Sequence, residues 1–163
     1  MSASLLVAQS GLTLSIAAWI ITGVIDNWRH PGLNLEAVRK VVSLEAMARD
    51  YPAEYAILAH RRMTNPARIR ALFGLIVAWE SLTALLLGAG GLMLAGAALG
   101  LGDPATARTA ALLGAVAFTL CWAGFLAGGN YFSYWYCHFP AQATHFFLAI
   151  WGSVVTGVLL IGG

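Results

Sequence analysis

Four long stretches of the chain are almost free of charge, and short polar or aromatic segments separate them. They cover roughly residues 5–25, 71–99, 107–127 and 141–161, and each reaches or exceeds the ~20 apolar residues that a helix needs to cross hydrocarbon. The pattern predicts an all-α polytopic membrane protein, residues 1–163 forming a single domain with four transmembrane helices. Nothing is left over for a soluble domain. In the first stretch Gln9, Ser10, Thr13 and Thr22 are expected to face other helices. The second is longer than a perpendicular crossing needs, so tilt or an exposed end must absorb the excess.

The breaks between the stretches are informative. Asp26, Asn27 and Trp28 place a carboxylate, an amide and an indole where the first helix should meet headgroups. Residues 29–70 then form the longest connector. Ala37, Val41, Leu44 and Ala48 recur there at helical spacing, with Glu36, Arg39, Lys40 and Ser43 on other faces, which predicts a short amphipathic helix lying on the membrane or on the bundle. Pro52 and Glu54 predict a second short helix from near Tyr51. Asn65 and Pro66 suit the N-cap and first position of the next long helix, with Arg68 and Arg70 snorkelling beside it. Gly102, Asp103 and Pro104 mark a tight turn. Residues 129–142 hold Tyr131, Phe132, Tyr134, Trp135, Tyr136 and Phe139, an interfacial set that predicts a half-buried cap. The glycines between Gly88 and Gly96, and the Gly124-Phe-Leu-Ala-Gly128 spacing, permit close helix approach.

Composition sharpens this picture: 60% of the residues are apolar and 10% charged, against about 25% charged in soluble domains. A net charge of +2 is too small for nucleic-acid binding. Met1–Ser4 lack Lys and Arg, so the first stretch reads as a retained span and not a secretory signal. Cys121 and Cys137 are expected at different depths, which disfavours a disulfide and leaves the redox compartment open. Arg29, Arg39, Lys40, Arg49, Arg61, Arg62, Arg68 and Arg70 lie in the first connector, offset by Asp26, Glu36, Glu45, Asp50 and Glu54, while the second connector has Arg108 alone. The positive-inside rule then puts connectors one and three in the cytoplasm.

Several short motifs, taken in order, resemble a bacterial family of predicted small integral membrane proteins, domain of unknown function 2165. They are Asp26-Asn27, Arg62-Met-Thr-Asn-Pro66, Glu80-Ser-Leu-Thr-Ala84, Gly128-Gly-Asn-Tyr-Phe132 with Trp135, and Gln142 with Phe146-Phe147. The resemblance spans nearly the whole chain. It implies a four-helix fold in a bacterial inner membrane, and it carries no catalytic residue across. It also implies a basic connector between spans two and three on the cytoplasmic side, which this sequence lacks, so orientation stays open.

Candidate chemistry is sparse. Glu80 is the outstanding polar residue, because a carboxylate inside a span must be protonated, hydrogen-bonded or paired. It could relay protons or hold a cation, with Thr83, Thr119 or His145 as partners, or simply bond to Ser81, Thr83 or another helix. His138 and His145, with Cys137 adjacent, offer haem or metal ligands, although Pro140 separates them and no structural zinc pattern exists. With Tyr131, Tyr134, Trp135 and Tyr136 they could frame a quinone, and the alternative is an aromatic belt. His60, Arg61 and Arg62 could bind a lipid phosphate or an acidic partner. Arg68, Arg70, Asp26, Asn27 and Trp28 are further candidates for lipid or partner contacts.

No phosphate-binding loop, Gly-x-Ser-x-Gly elbow or HExxH pair occurs, so neither a catalytic set nor a metal site is expected. Three roles remain. The first is a non-catalytic accessory subunit of a larger membrane complex in respiratory or photosynthetic energy conversion, contacting other membrane-protein subunits and bound lipid. The second is a haem- or quinone-binding anchor of an oxidoreductase. The third is a small transporter or proton-conducting bundle using Glu80.

Overall fold

The computed structural model describes residues 2–161. Four helices are long and apolar enough to span a membrane: α1 (Ala3–Arg29), α5 (Pro66–Ala98), α6 (Pro104–Tyr131) and α8 (Phe139–Leu160). Between α1 and α5 lie α2 (Pro31–Val42), α3 (Glu45–Asp50), α4 (Pro52–Leu58) and a 3-10 turn at Ala59–Arg61. The four-residue α7 (Tyr134–Cys137) joins α6 to α8. The chain is thus all-α with four membrane helices and a largely helical first connector.

Helix starts follow local chemistry. The Asn65 side chain accepts from the Ala67 and Arg68 amides at 2.9 and 3.3 Å, with Pro66 opening α5. Asp103 caps α6 by accepting from the Thr106 hydroxyl at 2.7 Å and the Thr106 amide at 2.8 Å, and these bonds hold its carboxyl below the usual carboxylate range. Gly100 and Gly102 take φ of +79° and +96°, conformations that favour glycine. The turn between α5 and α6 is therefore tight.

The bundle is a row, α1 beside α5, α5 beside α6, α6 beside α8, with α1 and α8 in lighter contact. Small residues set the seams. A Cβ on Gly90 would lie 2.5 Å from the Ala111 backbone, one on Gly114 2.8 Å from the Leu87 nitrogen, and one on Gly152 2.5 Å from the Thr119 hydroxyl. These backbones approach as closely as they do because no side chain intervenes. Ser10 Oγ donates to the Gly91 carbonyl at 2.9 Å, tying α1 to α5. Ile16, Leu87, Leu94, Ala111, Phe118 and Val155 fill the interior. The outer surface carries Leu75, Leu82, Leu85, Leu113, Phe147 and Val154, all exposed, a surface suited to lipid.

Several details depart from expectation. The Gly124–Gly128 pair does not serve a seam: a Cβ on either residue would meet nothing within 4 Å, so this spacing faces outward. Thr22 is exposed and bonds its own Trp19 carbonyl, whereas Gln9, Ser10 and Thr13 are buried as expected. Helix α1 continues through Asp26, Asn27 and Trp28 to Arg29. The amphipathic helix of the connector is broken at Ser43–Leu44, where Leu44 adopts φ +56°. Its buried residues are Val42, Leu44 and Met47, while Ala37 and Ala48 are exposed, because the break resets the helical register.

The connectors close one end of the bundle. Glu80 pairs with Asn27 only two residues from the end of α1, so roughly the first twelve residues of α5, about 18 Å of helix, stand beyond α1. Helix α2 packs on both α1 and α5 at this step. The Met63 amide donates to the Val42 carbonyl at 2.7 Å, the Tyr51 and Tyr136 rings meet edge-on at 5.1 Å, and Arg61 donates to the Tyr131 carbonyl at 3.1 Å. The first and third connectors thereby form one cap, half-buried as the aromatic segment predicts.

Candidate functional site

Three groups of residues could carry function, all toward the connector end. The first centres on Glu80. Asn34 Nδ2 donates to Asn27 Oδ1 at 2.6 Å, and Asn27 Nδ2 donates to Glu80 Oε2 at 2.7 Å. Asn27 and Glu80 are 6% and 7% exposed, while Asn34 is open to the surface. The carboxyl group is therefore linked to the outside by a two-amide chain. Beside it Trp28 Nε1 donates to Ser81 Oγ at 3.2 Å.

The position of this group changes its meaning. Glu80 lies well inside α5, yet it sits level with the polar end of α1, where a carboxyl group costs less than at mid-bilayer. The expected bond to another helix is met by Asn27 of α1, whereas none of the side chains named from sequence reaches Glu80. Thr83 bonds the Trp79 carbonyl and Thr119 the Ala115 carbonyl, while His145 stacks among aromatic rings. Toward the far end Ile16, Ala17, Ile20, Ala84 and Leu87 are buried, and the buried polar side chains there, Gln9, Ser10, Thr13 and Thr83, donate to backbone carbonyls and not to Glu80. The hydrogen-bonded chain ends at Glu80 among the described residues.

The second group is a column of rings. His145 stacks on Trp122, Phe125 and Tyr134, with centroids 5.4, 4.9 and 5.9 Å away, and Tyr134 stacks on His138 at 5.1 Å. His138 and His145 thus share one aromatic stack despite Pro140 between them. Burial holds the His138 imidazole below its ordinary value and the Tyr134 phenol above its own. Trp122 Nε1 and His145 Nδ1 are buried without a hydrogen-bond partner. Tyr131 and Trp135 stand outside the column, Tyr131 against Phe132 and Trp135 against Tyr136. Two open surface hollows, about 350 and 180 Å³, lie elsewhere, at the α5–α6 turn and between Val116 and Thr156.

The third group is basic. The Arg61 guanidinium lies 5.4 Å from the Tyr131 ring centre, Arg62 donates to the Tyr55 hydroxyl at 3.0 Å, and Arg68 and Arg70 project from the first turns of α5. Both cysteines are free thiols. Among the described residues, no three His, Cys, Asp or Glu side chains are grouped to hold a metal ion.

Residues 5–161 match the family model described as predicted small integral membrane protein, DUF2165. The chain belongs to that family. No curated protein and no solved structure matches it. For this DUF2165 member, three participants were missed from sequence. Asn34 gave no signal, because the helix break at His30 places it against Asn27 without any periodic relation. Trp122 and Phe125 did give one, since an i, i+3 aromatic pair marks one face of span three.

Proposed function

We propose that this chain is a non-catalytic subunit of a larger membrane assembly, and that a partner helix packs on the outward face of α6. One observation carries the reading. Gly90, Gly91, Gly114 and Gly152 are each crowded by a neighbouring helix of the same chain, whereas Gly124 and Gly128 meet nothing. Helices associate in lipid by close backbone approach across small residues, and this spacing is left over once the chain's own seams are made. Ala123 and Ala127 beside it are also exposed.

The test is extraction of the native membrane in mild detergent, then a blue native gel with mass spectrometry of the band. The protein should migrate with a larger complex, and Gly124→Leu with Gly128→Leu should release it without loss of its own fold. Migration alone or as a homo-oligomer refutes the proposal, as does a variant that stays in the complex.

A second reading, a haem- or quinone-binding anchor, has one observation in its favour: the unpartnered Trp122 and His145 nitrogens in the ring column. Against it, the rings already cover one another's faces. Purified protein with neither a Soret band nor extractable quinone removes it. A proton- or cation-conducting bundle has less support, since the amide chain stops at Glu80. For orientation, the eight basic residues near connector one favour a cytoplasmic location for connectors one and three.

A further inference from the structure

Eight of the nine basic residues gather at the connector end, and their neutralisation is uneven. Arg39 pairs with Glu36 at 2.6 Å and Glu45 at 2.8 Å, Lys40 with Glu36 at 3.8 Å, and Arg49 with Asp50 at 2.7 Å. The remaining cations at this end, Arg29, Arg61, Arg62, Arg68 and Arg70, have no carboxylate within ion-pair distance among the described residues. Among the described residues, the acids there that lack a cation in turn are Asp26, Glu54 and the buried Glu80, which bonds Asn27 instead. The uncompensated charge at this end is therefore positive.

Two of these arginines are held by neutral groups that leave most of their donors open. Arg61 spends one N–H on the carbonyl of Tyr131, the last residue of α6, and its plane lies near the Tyr131 ring. Arg62 spends one on the Tyr55 phenol. A guanidinium has five donors in a fork that matches phosphate. Arg68 and Arg70 are exposed in the opening turns of α5, three to five residues after Asn65. Tyr131, Trp135 and Phe139, all exposed, mark the depth at which headgroups lie.

We propose that this end of the bundle binds the headgroups of anionic phospholipids, with Arg61, Arg62, Arg68 and Arg70 as the phosphate-contacting set. The location decides between sources of phosphate: the arginines ring the ends of membrane-spanning helices beside interfacial aromatics, where a lipid phosphate is held at high local concentration. The ion pairs of Arg39 and Arg49 take no part.

The experiment uses the full-length protein in vesicles of phosphatidylcholine with a minor fraction of phosphatidylglycerol, followed by detergent extraction and mass spectrometry of the retained lipid. Phosphatidylglycerol should be enriched over its vesicle fraction, and the enrichment should fall about fivefold per arginine removed and weaken with salt. Arg68→Gln with Arg70→Gln is the principal variant, because neither side chain has a bond to lose among the described residues. Arg39→Gln with Arg49→Gln, which removes the same charge from paired sites, should retain the enrichment. Equal loss in both pairs, or no loss in the first, overturns the proposal. Displacement of the lipid by millimolar inorganic phosphate also overturns it, in favour of a soluble-anion site.

Discussion

Replacing Asn27 with leucine probes the one buried polar junction that joins three helices. The side chain donates to Glu80 Oε2 at 2.7 Å and accepts from Asn34 at 2.6 Å. Asn34 is exposed, so water replaces its lost acceptor at a cost below about 1 kcal/mol. Glu80 is 7% exposed, and its carboxyl group would lose a buried hydrogen bond worth about 2 kcal/mol. The sum, about 3 kcal/mol, lowers the folded-to-unfolded ratio by roughly a hundredfold. Glu80→Gln keeps an acceptor oxygen and should cost below about 1 kcal/mol. The pair Asn27→Leu with Glu80→Leu leaves no polar atom unsatisfied there and should cost less than Asn27→Leu alone. Unfolding in mixed micelles of rising dodecyl sulfate fraction, read by the fluorescence of the six tryptophans, measures all three together with Glu80→Leu alone. Additive costs for the two leucine substitutions would refute the coupling.

The same titration tests the α5–α6 seam: Gly114→Leu should lose roughly 3 kcal/mol by forcing the helices apart, whereas Gly88→Leu, with open space around it, should stay within about 0.5 kcal/mol. Ser133 sits at φ +52°, so Ser133→Asn should be tolerated and Ser133→Val should cost about 1.5 kcal/mol, since branched side chains are strained there. Cys137 reports orientation: an impermeant maleimide should label it in inside-out vesicles and not in right-side-out ones, with buried Cys121 silent, and the reverse result would place the cap outside the cell. Burial pushes the Cys137 thiol above its ordinary 9.0, and only the thiolate reacts. Its labelling rate should therefore keep climbing with pH after that of a free thiol has levelled off.

The four membrane helices were legible because lipid imposes a length and a composition that few other environments demand. Asn65-Pro66 was legible for a different reason, as capping acts within one turn of chain, whereas Asp103-Pro104, expected only as a turn, proves to be the cap and first residue of α6. What escaped was decided by tertiary contact. The Ser43–Leu44 break arises because Leu44, 3% exposed, is buried in a left-handed conformation that no propensity favours. Glu80 was conspicuous, but its partner was not, since the match between Asn27 and Glu80 depends on the vertical offset of α1 against α5. The glycine patterns look alike in sequence; only the packing separates Gly90 and Gly114, which serve seams, from Gly124 and Gly128, which do not.

The row-like order of the helices bears on how the chain is made. Each membrane helix lies against the one synthesised just before it, so α1 and α5 can dock, and α6 can join them, before the final helix has left the ribosome. The late arrival of α8 is then secured along α6 by the Gly152 contact, and along α1 by little more than Gln9, which donates to the Val158 carbonyl at 2.9 Å, and the edge-on Trp19–Trp151 pair. Assembly in this order leaves only the small α1 surface around Gln9 and Trp19 waiting for its mate, and a truncated nascent chain ending after Tyr131 should already hold most of its lateral contacts.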